Sequence, residues 1–156
     1  MKPLSLRNSL VLCLFSLALA GMAQAAPFES TPVENEQVDD FSAGKKAIDS
    51  KNWALAVSSF SKVVALNPKN ADAYNYLGFA SRWMGRYDDA FAAYGKALAL
   101  NPNHKGALQY SGMAYLKTDQ KAKAEGQLAK LQASCAHCDE TKQLAKAIAD
   151  YKPAAQ

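Results

Sequence analysis

The sequence predicts an all-α chain: three helical hairpins in series, closed by one further helix. Three observations carry that prediction. Gly44, Gly78 and Gly112 recur in phase every 34 residues, and apolar residues fall at helical spacing between them. Asn67-Pro68 and Asn101-Pro102 punctuate the series, since the residue before proline avoids the helical region and proline donates no backbone hydrogen bond.

The first residues stand apart from this pattern. "MKPLSLRNSLVLCLFSLALAGMAQAA" has a basic start with Lys2 and Arg7, an apolar run from Leu10 to Ala20, and Ala23-Gln24-Ala25 as a small-residue cleavage signal. It reads as a secretory signal peptide, residues 1–25, and predicts a periplasmic or secreted protein. The apolar run is about half of the ~20 residues that span a bilayer, so no stable membrane span is expected after cleavage. Cys13 follows the bulky Leu12, where lipoprotein processing wants a small residue, and is expected to leave with the signal.

Without the signal the chain keeps 16 Lys and Arg against 14 Asp and Glu, so strong basicity is not a feature and no nucleic-acid partner is expected. Residues 26–37 read as a flexible acidic leader, with two prolines and little apolar content. The domain is expected over 38–152, with repeats at about 37–70, 71–104 and 105–138 and a capping helix at about 139–152.

Each recurring position has a physical reason. A glycine inside a helix costs about 1 kcal/mol against alanine, so three at one phase predict a close approach of a neighbouring helix. Ala56, Ala90 and Ala124 recur on the facing helix, as do Phe60, Tyr94 and Leu128. In the second unit Tyr74, Leu77 and Ala80 mark one helix and Tyr87, Ala90, Phe91, Tyr94 and Leu98 the next, with Gly85 as the break. A series of hairpins leaves its last apolar face bare; the stripe Leu144, Ala147, Ile148 and Tyr151 supplies a cap.

These residues resemble the tetratricopeptide repeat family. Tyr74, Leu77, Gly78, Ala90, Tyr94, Ala97 and Pro102 stand at the family's spacing, with Ser81 in place of an aromatic. The first unit matches at Gly44, Trp53, Ala56, Phe60 and Pro68 and departs at Asp40 and Ala43. The third keeps Gly112, Tyr115, Ala124, Leu128 and Leu131 and has Ala136 where the proline would fall. The resemblance, over residues about 37 to 136, implies a right-handed superhelical stack that binds a peptide or protein segment on its concave face.

Helical phase nominates the lining of that face: Phe41, Lys45 and Ile48; Asp72, Asn75, Phe79, Arg82 and Trp83; Gln109, Met113, Leu116 and Lys117. The sharpest candidates for partner contact are Lys45, Asn75, Phe79, Arg82, Trp83, Gln109, Met113 and Lys117. Phase alone leaves open that Phe79, Trp83 and Leu116 pack between hairpins instead. One subset of the family grips C-terminal carboxylates with basic residues and asparagine; those places hold Phe41, Lys45, Tyr76, Gly106 and Tyr110 here, and that clamp is not expected.

Cys135-Ala136-His137-Cys138 occupies the slot of the Asn-Pro turns, between the last repeat and the capping helix. In an oxidising compartment two cysteines this close are expected to form a disulfide, contributing about 2 kcal/mol. Haem attachment needs a histidine after the second cysteine, where Asp139 stands. Zinc would use Cys135, His137, Cys138 and His104, but the adjacent His137 and Cys138 converge poorly. A thiol–disulfide redox pair is the alternative, because Cys138 precedes a helix start. No phosphate loop or metal helix motif appears, so the expectation is a protein-binding adaptor rather than an enzyme, with no cofactor.

Overall fold

The computed structural model describes residues 33–153, with side chains from Asp39 onward. The expected signal peptide and most of the expected leader lie outside the described residues. Seven helices are found among them: α1 Val33–Asp49, α2 Trp53–Leu66, α3 Ala71–Trp83, α4 Tyr87–Leu100, α5 Lys105–Lys117, α6 Lys121–Cys135 and α7 Asp139–Ala149. No strand is present among the described residues. Helix α1 begins at Val33, so the end of the span read as leader is helical.

Consecutive helices pack as hairpins, α1 with α2, α3 with α4 and α5 with α6, and α7 lies against both α5 and α6. The first helices of the hairpins also touch one another, α1 with α3, α3 with α5 and α5 with α7, whereas α2, α4 and α6 make no contact among themselves. One layer is therefore close-set and the other splayed, which curves the stack and places α1, α3, α5 and α7 on its inner side.

The in-phase glycines receive side chains rather than helix backbone. A Cβ at Gly44 would lie 2.8 Å from the Phe60 ring, and one at Gly78 would lie 2.7 Å from the Tyr94 ring. Phe60 and Tyr94 are almost wholly buried, and Ala56, Ala90 and Ala124 are wholly so. In the third hairpin the glycine does not meet Leu128, its in-phase partner. Leu144 of α7 takes that place, 2.6 Å from the position of a Gly112 Cβ. Leu128 stays half-buried at the margin of a cluster centred on Leu108, Leu131 and Leu144.

The turns repeat as closely as the helices. Lys51, Gly85 and Asp119, spaced 34 apart, all adopt the left-handed conformation, at φ 57°, 74° and 55°. After each, an amide reaches back to close the helix end: Asn52 to the Ala47 carbonyl, Arg86 to Ser81, Gln120 to Tyr115, at 2.8, 3.0 and 2.8 Å. Only Gly85 signals this in sequence; Lys51 and Asp119 hold the same backbone with a Cβ.

Between hairpins, Asn67 and Asn101 end their helices in extended backbone, as a following proline requires. Their side chains accept from the Lys69 and Asn103 amides at 3.2 and 3.1 Å, so asparagine and proline build the turn together. Asn52 and Asn70 then cap the next helices, accepting from Leu55 and Ala73. His104 does the same for α5: Nδ1 accepts from the Ala107 amide at 3.2 Å, which leaves the ring proton on Nε2 to donate to Asp72 at 3.0 Å.

Two substitutions test this account in opposite directions. Gly78→Ala is expected to destabilise the protein by about 1–2 kcal/mol, because overpacking against a fully buried ring outweighs the gain in helix propensity. Lys51→Gly is expected to stabilise it by about 1 kcal/mol, because the left-handed turn then carries no Cβ. Urea unfolding of the two variants beside the parent reads both; a stabilised Gly78→Ala or a destabilised Lys51→Gly contradicts the packing or the turn.

Candidate functional site

A depression on the inner side lies between the ends of α3, α5 and α7. It encloses about 490 Å³ and is lined by Arg82, Met113, Leu116, Lys117, Asp119, Ala147, Asp150, Tyr151 and Lys152. Its floor is apolar, from Met113, Leu116 and Ala147, and its rim mixes lysine and aspartate. This composition suits a segment that offers an apolar anchor flanked by polar groups.

Arg82 is the singular group in it. Its guanidinium lies over the Phe79 ring at 5.4 Å and over the Trp83 ring at 5.0 Å, and its Nε is buried with no hydrogen-bond partner. Two aromatic faces thus hold a cation in place, with the Tyr94 side chain beside it. The Tyr94 hydroxyl is also buried without a well-formed partner. Burial pushes its phenol far above the ordinary range, with the nearby Arg82 charge acting in the opposite sense. On the far wall the Tyr151 hydroxyl donates to Asp119 Oδ1 at 2.6 Å, and that bond raises its phenol too.

Beside the groove runs an aromatic shelf. Trp83 stacks on Trp53 at 5.3 Å and 8° between planes, Phe79 packs edge-on to both, and Phe79 lies 4.8 Å from Tyr110. Phe79 thus packs between neighbouring hairpins, one of the two roles that helical phase left open. Trp83 also packs between hairpins, on Trp53, yet remains 52% exposed.

Of the residues nominated from sequence, Arg82, Met113, Leu116 and Lys117 come together in the groove. The others do not join them. Lys45 lies 5.5 Å over the Tyr76 ring, and Phe41 and Ile48 pack onto the core of the first hairpin. Asp72 pairs with His104. Gln109 is closed to a partner: it is 3% exposed and donates to Gln143 of α7 at 2.6 Å. Asn75 is likewise buried, its side chain against Gly106. Helical phase places both on the inner side, but the next helix covers them. Ala147, Asp150 and Tyr151, which wall the groove, were read from sequence only as a cap.

The cysteine pair, expected as a disulfide, stands here as two thiols. Cys135 and Cys138 are free thiols, each half-buried. The Cys138 sulfur lies 3.0 Å from the Cys135 carbonyl oxygen, to which it donates, and 3.3 Å from Thr141 Oγ1, so it is engaged by polar neighbours instead of a second sulfur. Among the described residues no group of three or more His, Cys, Asp and Glu gathers to hold a metal ion. No helix among them is long and apolar enough to cross a membrane.

Residues 71–104 match the family model of the tetratricopeptide repeat. The fold is similar to the OM64 TPR domain of Arabidopsis, at TM-score 0.70 and 18% identity, over 76% of this chain and 98% of that one. It is similar to the TPR2B domain of yeast Sti1, solved as a complex with pHsp70, at TM-score 0.69 and 19% identity, over 76% and 99%. The type III secretion translocator chaperone SycD of Yersinia enterocolitica matches at TM-score 0.67 and 20% identity, over 75% and 89%. No curated protein matches the sequence significantly.

The buried Tyr94 hydroxyl makes an alkaline prediction. The unfolded chain ionises this phenol near its ordinary value of 10.0, while the folded chain resists until well above it. The folded state then binds more protons, so stability is lost as pH rises from about 10. Tyr94→Phe is expected to lose less stability than the parent between pH 9 and roughly 11, and to be about as stable at pH 7, since its hydroxyl has no well-formed partner. Urea midpoints measured across that range decide it; parallel pH curves for the two proteins contradict the assignment.

Proposed function

With a tetratricopeptide repeat at 71–104 and the fold of tetratricopeptide repeat domains as premise, we propose that this protein is an adaptor that binds a peptide or protein segment on its inner face. The segment lies in the groove between α3, α5 and α7. The observation that carries the reading is Arg82: a cation held over two aromatic rings that also lines an apolar depression. Arginine and tryptophan are the side chains that dominate binding hot spots, because they combine a rigid flat face with strong donors. Trp83 supplies exposed apolar area beside it, and Lys117 and Lys152 add positive charge along the rim.

Two solved neighbours support binding of this kind. The yeast Sti1 domain is in complex with pHsp70, and the first TPR of Spaghetti (RPAP3) is bound to the HSP90 peptide SRMEEVD. The adaptor acts in the cell envelope, as a periplasmic or secreted protein; residues 1–25 support this by their basic start, short apolar run and small-residue cleavage site.

Selection of binding peptides from a random display library on the full chain tests the groove. The parent is expected to enrich a common sequence pattern, and Arg82→Glu is expected to weaken a synthetic peptide of that pattern by roughly tenfold to a hundredfold, the span of a hot spot. Lys62→Glu, on the outer layer, is the control and should leave affinity unchanged. Equal affinity for the parent and Arg82→Glu contradicts the groove assignment.

A further inference from the structure

We propose that Cys135 and Cys138 form a reactive dithiol that exchanges with disulfides, Cys138 attacking and Cys135 closing the ring. Cys135 is the last residue of α6 and Cys138 the residue that precedes α7. The Cys138 amide donates to the Cys135 carbonyl at 3.4 Å, closing a four-residue turn. Such a turn holds its end Cα atoms within about 7 Å, the reach of a disulfide. Only side-chain rotation and a small backbone adjustment separate the two thiols from a bond.

The turn is also pinned. Thr141, 4% exposed, donates from Oγ1 to the Cys135 carbonyl at 2.7 Å and lies 3.3 Å from the Cys138 sulfur. A buried hydroxyl thereby fixes both cysteines from one side, while each keeps partial access to solvent. The two thiols are not equivalent. Burial opposes ionisation of Cys138, yet the Cys135 thiol and the Thr141 hydroxyl and amide beside it bring its pKa below the ordinary thiol value. The Cys135 thiol is raised, first by its interaction with Cys138. An easily ionised outer thiol beside a more basic one is the division of labour that exchange requires.

The chemistry balances with a small-molecule disulfide as oxidant. Cys138 gives its proton to water and its thiolate attacks one sulfur of the disulfide; the S–S bond breaks and the departing thiolate takes up a proton. The protein now carries a mixed disulfide at Cys138. Cys135, deprotonated in turn, attacks the Cys138 sulfur and expels the second thiolate. The two cysteines have lost two electrons, and one disulfide has become two thiols. This is independent of the groove, which lies at the opposite end of α7 from the turn.

Oxidised glutathione is the probe. Incubated with the reduced full chain and followed by mass spectrometry of the peptide after Lys130, which holds both cysteines, it is expected to yield the internal disulfide without lasting glutathione adduct. Cys135→Ser is expected to stop at a glutathione adduct on Cys138. Cys138→Ser is expected to form its adduct more slowly than Cys135→Ser, because the remaining thiol is the one less readily ionised. Circular dichroism of both variants confirms that the helices persist. Equal adduct rates in the two variants, or a parent that accumulates two adducts and no internal disulfide, overturn the proposal.

Discussion

Everything in this stack depends on a side chain lying flat on a helix where no Cβ stands in its way. Phe60 on Gly44 and Tyr94 on Gly78 let two helices close to a distance that alanine would prevent. A buried aromatic side chain contributes up to about 3 kcal/mol of hydrophobic stabilisation, against about 1 kcal/mol lost by placing glycine in a helix. The exchange is favourable in each of the first two hairpins. It also fixes register, because a ring displaced by one residue meets a Cβ.

That contact sets the shape of the outer surface as well. Hairpins built around one buried ring are wedge-like, and their first helices meet across the stack while the second helices stand apart. The inner side is therefore where successive hairpins place side chains in common. Arg82, Met113 and Tyr151 belong to three different hairpin-level elements and line one depression. Helix ends and the turns that follow them, at Asp119 and at Asp150 to Lys152, build it together.

The repeat was legible because its constraints are local and recur: glycine, alanine, aromatic and Asn-Pro each answer to a backbone or packing demand that repeats every 34 residues. The turns were half legible. Gly85 shows a left-handed residue openly, whereas Lys51 and Asp119 take that conformation because the flanking helices impose it. On the inner side, phase anticipated the helix face that brings Arg82, Met113, Leu116 and Lys117 into one depression, and it also placed Asn75 and Gln109 there, which are buried. A helical wheel gives the direction of a side chain and not what the next helix lays over it. Gln109 is lost to Gln143, which lies 34 residues on in a segment whose own repeat character has faded. The cysteine pair was legible as a turn, because it holds the slot of Asn-Pro; the Cys135 carbonyl and the Thr141 hydroxyl beside the Cys138 sulfur were not, since spacing places two sulfurs near each other without stating what else they touch.

The substitution of Leu144 for an in-hairpin ring on Gly112 has a consequence in time rather than in space. The first two hairpins carry their own keystones, Phe60 and Tyr94, and can close as soon as their second helices are made. The third cannot. Its glycine waits for a leucine that lies beyond its own second helix, so α5 and α6 remain open on one side until α7 has docked. The third hairpin is thus the last of the three to become committed, and docking of a helix outside it, not completion of the hairpin, is the event that seals it.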